Sequence, residues 1–459
     1  MTEESRRQLL IISTAAMSLF LLSFDINMVN IALPTITTHY GLDVASSAWL
    51  VIAYGVVLCG LLLPFGKAGD VIGHRRLFIA GMGIFTVMNL AAGISYHLDD
   101  FSALIVFRGL SAIGTAMMVS VNFAIVSLNL PEEVRGKGLG YFSVFGAVGF
   151  MLGPLASGLI ITYIQWNWIF YLGSFIGLAG FILAWFFIPV SGGDGHAADI
   201  LQTVAAFIAV LFSVLALNRL LIDGFTTLVM ISMVMASAGV MIALSRQGRA
   251  EHPLLEPAII GSPQIILPLF CMSFIYMTYS GSMVLLPFYL EHIQGLPPSS
   301  TGLLFLLPAL LIIILGPLAG GYADRNGSYL ITLTGTGVMV LAMVTFVIMG
   351  SFTGVAITVL GLMLMGVSHG LFNAPNNRRI FCIVPSEHAG TASGMHQSIR
   401  QVGTLIGVAT MPAVYQMVAG PSPDVGSMVG GFEAGFLVGL IFAVMALGLS
   451  ISIRQVCRG

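Results

Sequence analysis

The chain has 459 residues, of which only 36 are charged (17 Lys or Arg and 19 Asp or Glu), and its net charge is −2. Soluble proteins carry about 25% charged residues, whereas this chain has 8%, with 57% hydrophobic residues and a mean hydropathy of +1.00. This composition excludes a disordered chain, an ordinary soluble enzyme and a nucleic-acid-binding protein, and it indicates a polytopic membrane protein whose partner is the lipid bilayer.

Long apolar runs separated by short polar segments predict an all-α protein with fourteen transmembrane helices. Helices are favoured over strands because the runs are long and lack the ten-residue alternation of a membrane β-barrel. The predicted helices span residues 10–33, 47–65, 77–96, 102–127, 138–162, 167–188, 199–218, 225–245, 264–289, 300–321, 330–350, 354–377, 391–418 and 429–452.

The basic residues predict the orientation of these helices. With the N-terminus inside, fourteen of the 17 Lys and Arg residues fall on cytoplasmic segments. Such a bias is typical of cytoplasmic loops. We therefore expect a multi-pass protein of the cell (inner) membrane with both termini in the cytoplasm.

An internal repeat suggests two equivalent halves. The segments GKAGDVIGHRR and GGYADRNG follow the second and the tenth predicted helix, with a constant offset of 254 residues. The matching positions are Gly66, Gly69, Asp70 and Gly73 in the first segment, and Gly320, Ala323, Asp324 and Gly327 in the second. The repeat predicts six-helix halves at residues 1–189 and 251–459, with two inserted helices at 190–250.

Four motifs carry a resemblance to a known family: FDINMVNIALPTI in the first helix, GKAGDVIGHRR after the second, FRGLSAIGTA in the fourth and GAVGFMLGPLASG in the fifth. Together they resemble the major facilitator superfamily, specifically its fourteen-helix drug:proton antiporter branch. The resemblance implies the major facilitator fold and transport by alternating access, with no cofactor and with function as a monomer.

Two intramembrane charges are the expected proton-coupling residues. Asp25 is the only acidic residue that the sequence places well inside a predicted span, and burial disfavours its charged form, so it is suited to take up and release a proton. Arg108 lies in the fourth helix, where the family's equivalent arginine is implicated in coupling. A structural carboxylate and a structural ion pair remain the alternative interpretations.

Two further motifs imply moving parts. By the resemblance, Gly66, Gly69, Asp70, Gly73, Arg75 and Arg76, with Asp324 in the repeat, form a conformational latch. Gly149, Gly153, Pro154 and Gly158 match the antiporter motif, in which glycines at four-residue spacing allow a close helix approach and the proline introduces a bend. A positive-inside loop and static helix packing are the respective alternatives.

Polar and aromatic residues inside the spans suggest two less specific sites. Aromatic and methionine side chains suit lipophilic cations, and a weakly predicted substrate cavity contains Asn27, Asn30, Met117, Met118, Asn122, Phe274, Tyr276 and Tyr279. An inner polar cluster, in which interhelical hydrogen bonding is the better explanation than proton relay, contains His369, Asn373, His396, Gln397 and Arg400.

The sequence thus predicts a proton-coupled exporter of small amphipathic or cationic compounds. A specific metabolite exporter or nutrient transporter of the same fold is the first alternative, and a non-transporting membrane receptor or scaffold is the second. No GK[ST] nucleotide loop, HExxH, GxSxG or cysteine spacing typical of a metal site occurs, so we expect no enzyme activity, nucleotide motor or bound metal.

Overall fold

The computed structural model is all-helical in the part of the chain that it describes, residues 3–129, 132–189, 200–247, 262–351, 354–383, 389–420 and 423–453. The helices of the first half and the inserted segment are α1 (Glu3–Tyr40), α2 (Val44–Ser47), α3 (Trp49–Ile72), α4 (His74–Ile94), α5 (Phe101–Asn129), α6 (Glu132–Tyr163), α7 (Trp168–Phe187), α8 (Ile200–Asp223) and α9 (Thr227–Gln247). The remaining helices are α10 (Pro263–Phe288), α11 (Pro298–Leu304), α12 (Leu306–Asn326), α13 (Tyr329–Ile348), α14 (Ala356–Phe381), α15 (Ala389–Ala419) and α16 (Val425–Ser452).

Every predicted helix has a counterpart, with one break that the sequence analysis missed. The predicted helix 300–321 is divided between α11 and α12 at Phe305. Pro308 lies four residues after Leu304 and has no N–H to donate to the Leu304 carbonyl, so the helical ladder is interrupted there. Short helix α2 was also not predicted, and Asp43 caps it by accepting a hydrogen bond from the Ser46 amide at 2.8 Å.

Twelve helical segments among the described residues are long and apolar enough to cross a membrane. The chain is therefore a multi-pass membrane protein. Helices α8 and α9 occupy the positions of the two inserted helices, but their apolar stretches, Phe207–Leu220 and Thr227–Ile242, are shorter than the other twelve. The count of fourteen spans stays a prediction.

The helices form two compact units. Unit 1 contains α1, α3 to α7, α8 up to Leu211 and α9 from Met235 to Ala243, and unit 2 contains the rest of α8 and α9 with α2 and α10 to α16. The predicted boundaries at 190 and 251 lie outside the described residues, so the three-part division of the chain stays a prediction. Helices α8 and α9 each contribute residues to both units.

The 254-residue repeat is visible in the packing of each unit. A Cβ added to Gly81 of α4 would lie 2.6 Å from the Gly114 carbonyl oxygen of α5, and one added to Gly335 of α13 would lie 3.2 Å from the Ser368 carbonyl oxygen of α14. Each residue of the second pair stands 254 positions after its counterpart. The same close helix approach is therefore built twice, once in each unit.

Candidate functional site

The centre of unit 1 holds a buried ion pair between Asp25 of α1 and Arg108 of α5. The Arg108 Nη1 donates to Asp25 Oδ2 at 2.7 Å, and each side chain is 1% exposed. Burying either charge without a partner would be strongly unfavourable. The two residues that the sequence analysis singled out for proton coupling are therefore direct partners.

Two aromatic rings from other helices pack against the Arg108 guanidinium. Its Cζ lies 4.3 Å from the ring centroid of Tyr54 in α3 and 5.7 Å from that of Phe170 in α7. The Tyr54 hydroxyl donates at 2.9 Å to the Oγ1 of Thr115, a buried residue of α5. Because aromatic faces stabilise a desolvated cation, Arg108 has support beyond the carboxylate.

One oxygen of the Asp25 carboxylate is unused. Asp25 Oδ1 is buried and has no hydrogen-bond partner, and the same holds for Asn89 Oδ1 of α4. Both oxygens face Gly173 of α7, where an added Cβ would lie 3.7 Å from Asn89 Oδ1 and 3.8 Å from Asp25 Oδ1. The ion pair thus engages Oδ2 and leaves Oδ1 available to a donor.

The members of the predicted substrate cavity in unit 1 are largely buried. Asn122 is fully buried and donates from Nδ2 to Ser18 Oγ at 2.9 Å, while Asn27 donates to the Ser23 carbonyl of its own helix at 2.7 Å. Those bonds favour structural roles for these two amides. The remaining members in unit 1 are also at least nine-tenths buried: Asn30, Met117 and Met118.

In unit 2 the structure joins two groups that the sequence analysis kept apart. The rings of Tyr279 and His369 stack at 4.2 Å between centroids, and Tyr276 meets the same His369 ring at 4.9 Å. The Tyr276 hydroxyl lies 3.4 Å from Asn373 Oδ1, and the Arg400 Cζ lies 5.4 Å from the Tyr276 ring centroid. Two tyrosines assigned to the substrate cavity therefore belong with the inner polar cluster.

The other members of these groups make further contacts. His396 Nε2 is 2.8 Å from Asn377 Oδ1, and its ring packs near Phe381. Phe274 packs against Phe442 of α16 at 6.2 Å between centroids. Gln397 is half-buried. In the inner cluster predicted from sequence, His369, Asn373 and Arg400 therefore share contacts with Tyr276, and His396 is paired with Asn377.

The two loops of the predicted latch share a backbone geometry. Gly73 has φ 99° and ψ 130°, and Gly327 has φ 83° and ψ 159°. Each amide donates at 2.9 Å to the carbonyl four residues earlier, Gly69 and Ala323. Positive φ favours glycine at both turns, so the repeat reflects a structural requirement as well as a sequence match.

Two charged residues of the latch, Arg75 and Asp324, have partners within their own units. Arg75 Nη2 donates to the Trp185 carbonyl in the last turn of α7 at 2.6 Å, where a cation is favoured by the helix dipole. Arg378 Nε lies 2.9 Å from Asp324 Oδ1, and Arg76 is exposed. The Asp70 side chain lies outside those described, and Gly66 has no atom within 4 Å of an added Cβ.

The antiporter motif packs directly on α1. A Cβ added to Gly153 would lie 2.7 Å from the Phe24 carbonyl oxygen, and one added to Gly149 would overlap the carbonyl oxygen of Phe20. Gly158 and Pro154 are buried in the same helix. These glycines hold α6 against the helix that carries Asp25.

Unit 2 repeats that contact, which the sequence analysis did not detect. Gly403 and Gly407 of α15 stand 254 positions after Gly149 and Gly153, and an added Cβ at each would overlap or crowd the carbonyl oxygens of Ser273 and Met277 in α10. The glycine spacing in GTLIG was the signal that could have predicted this contact.

The sequence analysis also missed Tyr54, Asn89 and Phe170, because single aromatic or amide residues in a span carry no distinctive pattern.

The duplicated helical units and the buried charge pair define a polytopic membrane protein of the transporter class. A family model described as Major Facilitator Superfamily matches residues 15–408. The chain therefore belongs to the Major Facilitator Superfamily, whose members are transporters of small molecules rather than enzymes.

Three relatives illustrate the range of proteins to which the chain is similar. It is 29% identical over 403 residues to the uncharacterized transporter YebQ of Escherichia coli (strain K12), covering 87% of each chain. It is 26% identical to the riboflavin transporter RibZ of Clostridioides difficile, covering 88% of this chain and 87% of RibZ. It is 25% identical to the multidrug resistance protein Stp of Mycobacterium tuberculosis, covering 89% of this chain and 76% of Stp.

Solved structures agree on the fold. A crystal structure of the peptide transporter POT in complex with sulfate matches with a TM-score of 0.70, covering 99% of both chains at 16% sequence identity. At this identity the match shows the fold alone.

Proposed function

We propose that the protein is a proton-coupled secondary active transporter that exports small amphipathic or cationic compounds by alternating access. The observation that carries the proposal is the Asp25–Arg108 pair, in which one carboxylate oxygen is bound by the guanidinium and the other is buried without a partner. A carboxylate held in this way has a defined atom, Oδ1, on which a proton can be accepted while the Arg108 contact positions the group.

Protonation would change the charge balance at the centre of unit 1. While Asp25 is ionised, the pair with Arg108 has no net charge, and once Asp25 is protonated the guanidinium is left as an uncompensated buried cation. A cationic substrate near the carboxylate then competes with the proton for the same negative charge. Exchange of one for the other, with each form favouring a different conformation, produces antiport without ATP.

The other residues have subsidiary roles in this proposal. The glycine loop with Arg75, Arg76 and Asp324 acts as the latch, and the α6 glycines form the surface on which α1 moves. The proposed substrate contacts are Asn30 in unit 1 and the Tyr276–Tyr279–His369 group in unit 2. Both termini lie in the cytoplasm, and the monomer is the working form.

The relatives support the coarse function and leave the cargo open. Stp is named as a multidrug resistance protein, which favours export of varied compounds, whereas RibZ is named as a riboflavin transporter, which favours a specific metabolite or nutrient. A non-transporting receptor or scaffold is the remaining alternative. Asp25 favours a cationic cargo, because a buried carboxylate discriminates by charge.

The test uses proteoliposomes that contain the full chain and carry an imposed pH gradient, with ethidium as a lipophilic cation and riboflavin as a contrasting cargo. We expect ethidium movement coupled to proton movement in the wild type and loss of this coupling in Asp25→Asn. The matched control is Asp99→Asn, because Asp99 is exposed and has φ 49°, a conformation that asparagine also adopts readily.

The outcomes separate the candidate functions. Coupling that survives Asp25→Asn overturns the proton-site assignment. Transport of riboflavin without ethidium transport favours the metabolite alternative. If neither compound, nor a wider panel of cations and metabolites, moves in response to the gradient, the receptor alternative is favoured.

A further inference from the structure

The space beside Gly173 in unit 1 is lined by two buried acceptor oxygens from different helices. We propose that a water molecule, or the hydronium ion formed when a proton reaches it, binds between Asp25 Oδ1 and Asn89 Oδ1, with Asn89 as a positioning residue. The proton passes from the hydronium to Asp25 Oδ1 and leaves a neutral water behind. This inference rests on the proposed role of Asp25 in proton coupling and names the group that would deliver the proton.

The first argument is hydrogen-bond chemistry. Asp25 is 1% exposed and Asn89 is fully buried, and neither Oδ1 has a donor. Leaving a buried acceptor without a hydrogen-bond donor is unfavourable. An ionised carboxylate and an amide oxygen are both acceptors, so they cannot satisfy each other. A water molecule supplies two O–H donors and satisfies both at once.

The second argument is the orientation of the Asn89 amide. Its Nδ2 donates to the Phe85 carbonyl of the preceding turn at 3.1 Å. Turning the amide over would place Oδ1 against that carbonyl and set two acceptors face to face. The hydrogen bond to Phe85 therefore directs the Asn89 oxygen toward Gly173 and Asp25.

The third argument is the position of the two oxygens. The three heavy atoms nearest to a Cβ added at Gly173 are two atoms of Asn89, at 3.7 and 3.8 Å, and Asp25 Oδ1, at 3.8 Å. These are ordinary van der Waals distances, so a methyl group at residue 173 fits without displacing a neighbour. Both unpaired oxygens therefore border the same point beside the Gly173 backbone, and the side that a ligand would contact is polar.

Unit 2 shows that the duplicated fold does not require such a site. In the duplicated glycine contact, the Met277 carbonyl takes the place of the Phe24 carbonyl, so the next residue, Thr278, corresponds to Asp25. Met343 stands 254 positions after Asn89. Both Thr278 and Met343 pack at Gly439 of α16. A Cβ added to Gly439 would lie 3.0 Å from Met343 Sδ, and Thr278 Oγ1 donates to the Gly439 carbonyl at 3.2 Å. The corresponding place in unit 2 is filled by side-chain atoms, and its hydroxyl is paired.

The test compares hydrogen–deuterium exchange at the Asp25 carboxyl in purified full-length variants, followed by the shift of its infrared C=O band, which is assigned with Asp25→Asn. Gly173→Ala fills the space with a methyl group that donates nothing, Gly173→Ser fills it with a hydroxyl donor, and Asn89→Leu removes the second acceptor. The control is Gly83→Ala, whose Cβ would lie 3.5 Å from the Phe181 ring. Charged or titratable neighbours that act on Asp25 are Arg108 and Tyr54, and no variant alters them.

We expect the Asp25 carboxyl proton to exchange for deuterium several-fold more slowly in Gly173→Ala and Asn89→Leu than in the wild type, because the water that carries the proton is displaced or loses its second acceptor. Gly173→Ser should exchange faster than Gly173→Ala, since a hydroxyl can pass a proton and a methyl group cannot.

The failures of the two proposals are distinguishable. If no carboxyl C=O band is lost in Asp25→Asn, the proton-site assignment itself fails. If the band is present but Gly173→Ala exchanges as fast as Gly83→Ala does, Asp25 remains the proton site and the water site is wrong. Equal exchange rates in Gly173→Ala and Gly173→Ser would likewise contradict the water site, because a donor at that place would then have no effect.

Discussion

Asp25 and Arg108, which stand 83 positions apart in the chain, meet through a single 2.7 Å hydrogen bond in the interior of unit 1. The contact is monodentate: Arg108 Nη1 donates to Asp25 Oδ2, while Arg108 Nε and Asp25 Oδ1 have no partner. A bidentate pair would occupy both carboxylate oxygens. The single hydrogen bond pairs the two charges and leaves Asp25 Oδ1 without a donor.

A double-mutant cycle measures this pair. Asp25→Asn should lower the free energy of unfolding by about 3–5 kcal/mol, because it leaves a buried guanidinium without a counter-charge. Arg108→Gln should likewise destabilise the protein, because it leaves a buried carboxylate without a counter-charge. The double variant should be more stable than the sum of the single effects predicts.

The measurement is denaturant or thermal unfolding of the purified protein in detergent. Additive effects of the two substitutions would mean that the residues do not interact, contrary to the observed contact. Transport should be absent in the double variant even where its stability recovers, and this separates the coupling role from a purely structural one.

The glycine contacts of the two units should be equally sensitive to substitution. Gly153→Ala and Gly407→Ala should each destabilise the protein by about 1–3 kcal/mol, because the new methyl group meets the carbonyl oxygen of Phe24 or Met277. Gly448→Ala is the control, since no atom lies within 4 Å of its added Cβ. Thermal stability in detergent provides the comparison. A large loss at Gly153 with none at Gly407 would show that the two contacts are not equivalent.

The Asp324–Arg378 pair should matter more for transport than for folding. Asp324 is 70% exposed, so solvent screens the pair, and Asp324→Asn should change the unfolding free energy by no more than about 1 kcal/mol. If the latch proposal holds, the same variant slows transport, and exchanging the two charges (Asp324→Arg with Arg378→Asp) restores part of the rate. Unchanged transport rates in Asp324→Asn would exclude a latch role for this residue.

The first turn of α16 should show an acid-dependent contribution from its cap. Asp424 accepts hydrogen bonds from the Ser427 hydroxyl and, at 3.0 Å, from the Ser427 amide, and these bonds hold the pKa of its carboxyl below the ordinary value. A lowered pKa means that the stabilisation is present above the ordinary pKa of aspartate and is lost as the pH falls through the lowered value. The stability difference between wild type and Asp424→Ala should therefore shrink on acidification, as melting curves over a pH series would show. A difference that is constant with pH would assign the effect to packing.

The sequence was a good guide wherever a signal is local. Apolar length and polar punctuation predicted the long helices, and two lone charges in apolar runs identified Asp25 and Arg108. The break at Phe305 was also within reach, because Pro308 stands in a run otherwise suited to one helix. It was missed because proline is tolerated in many membrane helices.

Which side chains meet across the helices could not be predicted from the sequence. The pairing of Asp25 with Arg108 depends on the rotational register of α1 and α5, and neither the Tyr54 ring nor the Asn89 amide has a neighbour in sequence that marks it. The same holds for Tyr276 and Tyr279, which were grouped with a substrate cavity but lie against His369. Interhelical register is set by packing, and helical periodicity in one span does not encode it.

The repeat in the packing also limits what the charge pair can contribute to the fold. Leu362, fully buried, stands 254 positions after Arg108, and Thr278 takes the place of Asp25, so unit 2 assembles the same helix contacts with two uncharged residues. The helix packing itself therefore does not require an ion pair at these two positions. Neutral replacements of both Asp25 and Arg108 should be compatible with the helix contacts of unit 1.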